Sequence, residues 1–582
     1  MKIFLKAYLA SILAGFTFVF LLFLTLLLIP KDEKIAVRKN SVLHLSLDKA
    51  IVERASDDPF GNFNPLTFQS EQPIGLNSLV KAIKNAKDDE KIQGIFLDIN
   101  GMSAGLSTLK ELRETIEDFK ESGKFVWAYA DFLMQGEYYL ASVADSIFFN
   151  PSGFFDWHGL ASSQPYLKDM FERIGVKPVV VRGSNNRFKS AVEPFLENEM
   201  SDANREQLQA ILDDLWSEMK NVTATSRGLS PDKMQEIADS MLAIIPTNAL
   251  KLGLVDELLF RSDMYDKLQA KTEAKTLRTI PLITAGRYNR SIKDSKEKDR
   301  IAIIYADGEI GMGESSSGTI GPETIVKAIQ KAAEDDDVKA IVLRVNSPGG
   351  SALGSDIMHR ELLKAKAKKP LIISMGDLAA SGGYFIAAPG DAVVAQPTTI
   401  TGSIGVFMLL FTAEELLEQK IGMHFNVVKT GEMADWSNLN RDLTENEYRV
   451  FQTFVDDTYG QFISRVKEGR GLDSLYIDSI GQGRVWSGVR AKQLGLVDEL
   501  GGLDVALAIA AEKAGIEKYS IMELPRQQNP FEQFMKSFGG EEVKNRILKE
   551  ELGVYYDSYI QASKLMKNQG MLARMPVDIN IR

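Results

Sequence analysis

A chain of 582 residues is too long for one hydrophobic core and divides into several domains. Its 45% hydrophobic and 25% charged residues are those of ordinary globular protein, and a net charge of −11 weighs against a general nucleic-acid binder, which needs basic surface to displace counterions. The absence of cysteine excludes thiolate catalysis and disulfides, and His44, His158, His359 and His424 form no metal-binding pair at helical spacing, so no metal or cofactor is expected.

The N-terminus is different in kind. Residues 7–29 carry no charge. As a helix they would run roughly 35 Å, enough for the hydrocarbon core of a bilayer. The exit Leu26-Leu27-Leu28-Ile29-Pro30 offers no small-x-small cleavage site. An uncleaved signal anchor over residues 1–40 is expected, in contact with membrane lipid. Lys31, Lys34, Arg38 and Lys39 follow the span, while Lys2 and Lys6 precede it, so charge counting does not set the topology.

Beyond the anchor one unit is written twice. Leu79-Val80-Lys81-Ala82-Ile83 returns as Ile325-Val326-Lys327-Ala328-Ile329, and Asp98-Ile99-Asn100 as Arg344-Val345-Asn346, at one constant offset. Leu252-Gly253-Leu254-Val255-Asp256-Glu257-Leu258 recurs letter for letter at the seven positions ending in Leu500. Copy one is read as residues 41–285, a charged linker as 286–299, copy two as 300–520, and a tail as 521–582. In copy two, short apolar runs such as Ile301-Ala302-Ile303-Ile304-Tyr305 and Leu371-Ile372-Ile373-Ser374-Met375 alternate with helical periodicity at residues 324–333 and 356–366. That alternation predicts an α/β fold of tandem parallel β-α-β domains. The chemistry of such sheets sits in loops at the carboxyl ends of strands. The tail is predicted helical from residue 541 to 571, a packing or oligomer contact, or a segment that enters a neighbour's groove and regulates it.

Two loops of copy two stand at strand ends. Ala380-Ser381-Gly382-Gly383-Tyr384 puts a serine at the start of a helix, where free NH groups and the helix dipole favour an oxyanion. Asn346-Ser347-Pro348-Gly349-Gly350 brings further NH groups to the same edge. The same Ser-Gly-Gly pattern also fits a plain helix N-cap. Copy one has Gln135 where copy two has Ser381. A serine nucleophile needs a base. His359, mid-helix beside Arg360, is expected at the surface, and no Ser-His-Asp set can be assembled. That favours a lysine whose pKa is lowered by burial. Lys189 of copy one lies among Phe188, Ala191, Val192, Pro194 and Phe195. The setting fits a buried base and equally a lysine that snorkels to the surface. Ser403, in Thr401-Gly402-Ser403-Ile404-Gly405, fits a residue that orients the base or one that simply makes a turn.

These motifs, with Phe188-Lys189-Ser190-Ala191-Val192-Glu193-Pro194-Phe195 and Met375-Gly376-Asp377-Leu378-Ala379-Ala380-Ser381, resemble the long, duplicated members of peptidase family S49. The resemblance covers residues 41–520 and the anchor. It implies a fold similar to the Clp protease proteolytic subunit and crotonases. It implies Ser381 as nucleophile, Lys189 as general base and Ser403 as its helper, with Gly349, Gly350 and Gly382 at the oxyanion and substrate site. It further implies a homotetramer in the bacterial inner membrane with periplasmic catalytic domains, whose substrates are signal-peptide remnants and other extended apolar peptides. Two rivals are a catalytically inactive membrane scaffold of the same fold and a crotonase-like acyl-CoA enzyme.

Overall fold

The computed structural model describes Leu13, Ala14, Thr17 and residues 36–55, 63–64, 69–70, 72–526 and 570–575, apart from Asp294, Lys296, Ser317, Ser437 and Leu439. The expected membrane span lies outside the described residues except for those first three. Among the described residues no helix is long and apolar enough to cross a membrane.

Copy one contributes strands β1 (Ser41–Leu47), β2 (Ile92–Ile99), β3 (Phe125–Leu133), β4 (Ser146–Phe155) and β5 (Lys177–Arg182). Copy two contributes β6 (Arg300–Asp307), β7 (Val338–Ser347), β8 (Gly349–Ser351), β9 (Leu371–Ala380), β10 (Ala392–Ala395), β11 (Ile400–Gly402) and β12 (Phe407–Thr412). Strands β13 (Ser520–Leu524) and β14 (Gly570–Arg574) follow. Four helices bear on the site: α1 (Leu106–Lys120), α2 (Gln135–Ala141), α3 (Asp202–Arg227) and α4 (Gly382–Ala387).

The duplication is visible as two sheets. In the first the order is Glu257–Leu258, β4, β3, β2, β1, Leu282–Thr284, all parallel. In the second it is Val485–Ser487, β11, β9, β7, β6, β13, parallel except at the Val485–Ser487 edge, with β10 also beside β9. Both faces of these strands are covered, which is why they read as continuous apolar runs rather than alternating ones. The repeated helices Leu76–Asp88 and Pro322–Glu334 bury Leu79, Ala82, Ile83 and Ile325, Ala328, Ile329, the apolar stripe expected at helical spacing.

A third sheet joins segments of both copies and the tail beside the candidate site. Its order is Thr319–Ile320, Glu309–Ile310, β8, β14, β12, β5, so copy one, copy two and the tail share one hydrogen-bonded surface. Two expectations change here. Residues 285–291 are a helix, not linker, because Tyr288 is buried and its hydroxyl bonds to Asp89 at 3.0 Å. The tail, expected to be helical, supplies strands: β13 pairs with β6, and residues 570 and 571 belong to β14. The rest of the predicted tail helix lies outside the described residues.

The copies are docked by buried polar groups. Arg344 of copy two is 1% exposed and donates to Glu53 (2.9 and 3.0 Å) and Glu111 (2.8 Å) of copy one. It also donates to the Ser374 hydroxyl at 2.8 Å. Asp377 of β9 accepts from the backbone NH groups of Ser107 (2.7 Å) and Thr108 (3.0 Å) and from the Thr108 hydroxyl (2.6 Å). A carboxylate of copy two thus caps α1 of copy one, where the dipole favours negative charge and α1 has no side-chain cap of its own. Arg344→Met leaves Glu53 and Glu111 buried without their cation and is expected to cost about 3–5 kcal/mol, read as a lower urea midpoint. An unchanged midpoint would show that the pair does not hold the copies together.

Candidate active site

Strand β9 ends at Ala380, and Ser381 is the N-cap of α4. Its backbone sits at φ 56° and ψ −116°, a region that costs a non-glycine residue roughly 1–3 kcal/mol and persists only when its surroundings hold it. Here the Ser381 NH donates to the Gly402 carbonyl (2.8 Å) and its carbonyl accepts from Phe385 (2.8 Å). The Thr401 hydroxyl adds a bond to the Ala379 carbonyl at 2.7 Å. The serine is therefore fixed between two strand ends that the sequence had marked only by their glycines.

Lys189 arrives from the other copy. Strand β5 pairs antiparallel with β12 along its whole length, from Arg182 opposite Phe407 to Lys177 opposite Thr412. The loop after β5 is tied down by Asn186 to the Val406 carbonyl (2.6 Å), by the Phe188 NH to the Gln482 carbonyl (2.9 Å), and by Gln207 of α3 to the Phe188 carbonyl (3.0 Å). Gly483, at φ 81°, lets the opposing backbone come close, since a Cβ there would lie 2.5 Å from the Lys189 Cβ. The lysine is 0% exposed.

Its Nζ lies 2.8 Å from Ser381 Oγ, 2.9 Å from Ser403 Oγ and 3.0 Å from the Ser403 carbonyl. Burial pushes the Lys189 pKa well below the usual lysine value, with no charged partner opposing it. The three contacts suit a neutral amine. Two N–H bonds are donated to the Ser403 carbonyl and hydroxyl, and the lone pair accepts the Ser381 O–H. The Ser403 hydroxyl is then free to donate to the Gly483 carbonyl at 3.3 Å. Every proton in the cluster has an acceptor, and the nitrogen is left with its lone pair on the serine.

The glycine loops do not contribute equally. The Met575 NH donates to the Pro348 carbonyl at 2.8 Å, so the Pro348 carbonyl faces β14. By strand alternation the Gly350 NH faces the same way. Gly350 sits at φ 143°, and a Cβ there would lie 2.1 Å from the Ile310 carbonyl oxygen. The Gly349 NH instead donates to Ser347 Oγ at 3.2 Å. Gly382 opens α4, so its NH has no intrahelical acceptor. Gly350 and Gly382 are thus disposed as donors, and Gly349, grouped with them from the sequence, is turned away.

Copy one shows the same frame closed. Gln135, in the place of the serine, donates to the Gly159 carbonyl (3.0 Å) and accepts from the His158 and Gly159 NH groups (3.0 and 2.7 Å). Glu137, aligned with Gly383, accepts from the Gly101 and Met102 NH groups (2.7 and 3.0 Å), which align with Ser347 and Pro348. Its oxyanion loop is occupied by its own carboxylate. His359 is another correction: it is buried, not at the surface. Its ring meets Phe385 edge-on at 5.3 Å, burial pushes its pKa down to about 4, and no bond reaches Ser381. Sequence reasoning missed Asn186, Gln207, Asp377 and Gly483, which hold the site together. Asp377 falls inside the quoted serine motif but is given no role of its own there, and no motif marks the other three, because each acts through a long-range contact.

Comparison with known proteins gives the family. The profile of Peptidase family S49 matches residues 118–275 and 364–517. Protease 4 of Haemophilus influenzae is 38% identical over 75% of this chain and 72% of its own length. Protease 4 of Salmonella typhi is 37% identical over 81% and 77%. The chloroplastic serine protease SPPA of Arabidopsis thaliana is 30% identical over 86% and 74%. Among solved structures, a ClpP1 mutant from Listeria monocytogenes aligns with 34% of this chain and 91% of its own at 15% identity and a TM-score of 0.24. A strained serine, a family profile matched once in each copy, and relatives aligned through both copies place this chain in peptidase family S49, as a serine protease of the duplicated form.

Proposed function

We propose that this serine protease works by a Ser381–Lys189 dyad divided between the copies, and that it digests signal-peptide remnants and other extended apolar peptides at the bacterial inner membrane. The observation that carries the reading is the buried amine 2.8 Å from the serine hydroxyl, with no histidine bonded to that serine among the described residues. Neutral Lys189 accepts the Ser381 proton as Oγ attacks the scissile carbonyl. The NH groups of Gly350 and Gly382 hold the oxyanion. The lysine passes its proton to the leaving amine, and water, deprotonated by the same lysine, cleaves the ester and restores the serine. Ser403 keeps the amine aimed. Residues 7–29 tether the enzyme beside substrates that stay in the bilayer, which raises their effective concentration. The periplasmic placement of the catalytic domains and the homotetramer rest on the family likeness.

Ser381→Ala and Lys189→Met are each expected to lower hydrolysis of an apolar fluorogenic peptide by roughly 10⁴-fold or more. Labelling of Ser381 by a fluorophosphonate probe, lost in Ser381→Ala, separates this reading from an inactive scaffold. Survival of activity in Lys189→Met would require a different base.

The buried lysine also sets two pH dependences. Activity needs the neutral amine, so it is expected to rise with pH through a pKa well below 10.5. Stability follows the same sign. Between the folded pKa and the unfolded value the unfolded chain binds the extra proton, so stability climbs as pH rises and levels off near the unfolded value. Lys189→Met removes that slope and is expected to melt higher than wild type at neutral pH. Equal melting temperatures at pH 7 would mean that the amine is not desolvated.

A further inference from the structure

Residues 482–484 bridge the two loops that meet at the dyad. The Gln482 carbonyl accepts from the Phe188 NH at 2.9 Å, one residue before the lysine. The Gly483 carbonyl accepts from the Ser403 hydroxyl at 3.3 Å, and the Gly483 NH donates to the Ile404 carbonyl at 2.8 Å. The Arg484 carbonyl accepts from the Ser403 NH at 2.7 Å. Three consecutive carbonyls thus tie the lysine loop of copy one to the Ser403 loop of copy two. The next residue continues the tie: the Val485 NH donates to Gln207 of α3 at 3.3 Å, and the Gln207 amide donates to the Phe188 carbonyl.

The side chain of Arg484 closes this bridge. Its guanidinium carbon lies over the Phe188 ring, 4.6 Å from the centroid, and over the Trp486 ring, 4.5 Å from the centroid. Phe188 belongs to the lysine loop. Trp486 stands opposite Thr401 of β11, its indole NH donates to the Ile480 carbonyl at 2.9 Å, and its ring packs on Gly402, where a Cβ would lie 2.8 Å from it. Planar guanidinium groups stack on aromatic faces, so one side chain fastens a ring from each copy. Polar contacts do not account for its placement. The Arg484 Nε is buried and bonded to no protein atom, and the ion pair to Glu206 of α3, at 2.8 Å, uses a carboxylate that is 54% exposed. Exposed pairs of that kind contribute little. The charged groups around the stack are Glu206 and Arg187, whose guanidinium lies over Phe188 at 5.4 Å. Among the described residues the Lys189 amine itself meets Ser381 and Ser403 and no charged group.

We propose that Arg484 is a positioning residue of the dyad: stacked between Phe188 and Trp486, it holds the lysine loop against the Ser403 loop and keeps water from the Lys189 amine. This rests on the reading of Lys189 as the base. The consequence is specific to pH. The amine is neutral because it is dry, so a loosened stack that admits water returns the proton to it. Once the pH is high enough to remove that proton again, the same nucleophile and base are in place.

The test is the pH dependence of kcat/KM for an apolar fluorogenic peptide, with the full chain in detergent. Arg484→Met keeps an unbranched stem and loses the plane. It is expected to move the rising limb to higher pH, lowering kcat/KM about tenfold below the midpoint while the high-pH plateau stays within about twofold. Arg484→Lys keeps the charge but cannot lie flat between two rings, and is expected to move the limb the same way. It carries the reading alone where Arg484→Met does not fold. Glu206→Gln removes only the exposed pair and is expected to leave the profile in place. A limb that does not move overturns the clamp. A loss equal at every pH also overturns it, as a merely structural role would give. A limb moved by Met and not by Lys overturns the stack in favour of charge. Lys189→Met separates the two failures. Activity lost there, with an unmoved limb in both Arg484 variants, sinks the clamp and keeps the dyad; activity that survives there sinks the dyad and the clamp with it.

Discussion

Removal of one lysine amine from water is the constraint on which the rest of this structure depends. Lys189 has no carboxylate to share its proton with, so desolvation alone shifts it. Such a shift is costly to stability and survives only if the surroundings are rigid and the amine's own hydrogen bonds are met. The Ser403 carbonyl and hydroxyl accept its two N–H bonds, and the Ser381 hydroxyl meets its lone pair. The rigidity comes from the β5–β12 pairing, which runs the full length of β5 just before the loop that carries the lysine. A side chain from one copy is thereby aimed into the other by backbone hydrogen bonds rather than by loop contacts alone.

That arrangement makes docking of the copies part of the chemistry. Asp377 lies four residues before Ser381 and is bonded to the start of α1, so the nucleophile's strand is pinned to copy one. Arg344, two residues before Asn346 on β7, is pinned to copy one by two glutamates. Both glycine loops of the site therefore emerge from strands held by copy one. The closed frame in copy one fits the same logic. Lys189 serves the serine of copy two, while the matching position of copy one is Gln135, with Glu137 bonded to the NH groups of Gly101 and Met102. Unbonded buried NH groups carry a penalty, and an oxyanion loop that no longer serves a substrate has to be filled.

Much of this was legible in the chain and some was not, for definable reasons. The duplication, the parallel strands and the serine loop are local patterns: apolar runs, a constant offset, glycines at strand ends. Lys189 is a tertiary fact. Its neighbours Phe188 and Val192 say that the segment is apolar, but only the approach of Gly483 and the Ser403 loop makes the amine buried rather than snorkelled. His359 misled for the mirror reason. A charged neighbour, Arg360, suggested a wet face, yet on a helix the adjacent residue points elsewhere, and His359 falls on the face that meets Phe385. Gly349 and Gly350 are indistinguishable in sequence and opposite in orientation, because strand alternation sends one NH to Ser347 and the other towards β14. Of the expected tail helix over residues 541–571 only 570 and 571 are among the described residues, and both are strand. Helical periodicity is a property of a segment by itself, while β14 exists only because two strand edges of other parts of the fold stand open to it.

Those two edges connect the tail to the candidate site. A sheet edge with unpaired NH and carbonyl groups recruits any extended chain, and proteins protect such edges when no partner is wanted. Here two edges flank one strand, and both run antiparallel to it. What meets β8 and β12 is therefore addressed through its backbone, whatever its side chains. The same property explains why residues 570–574 fit there: antiparallel ladders on both sides hold the segment by its backbone and make no demand on its side chains.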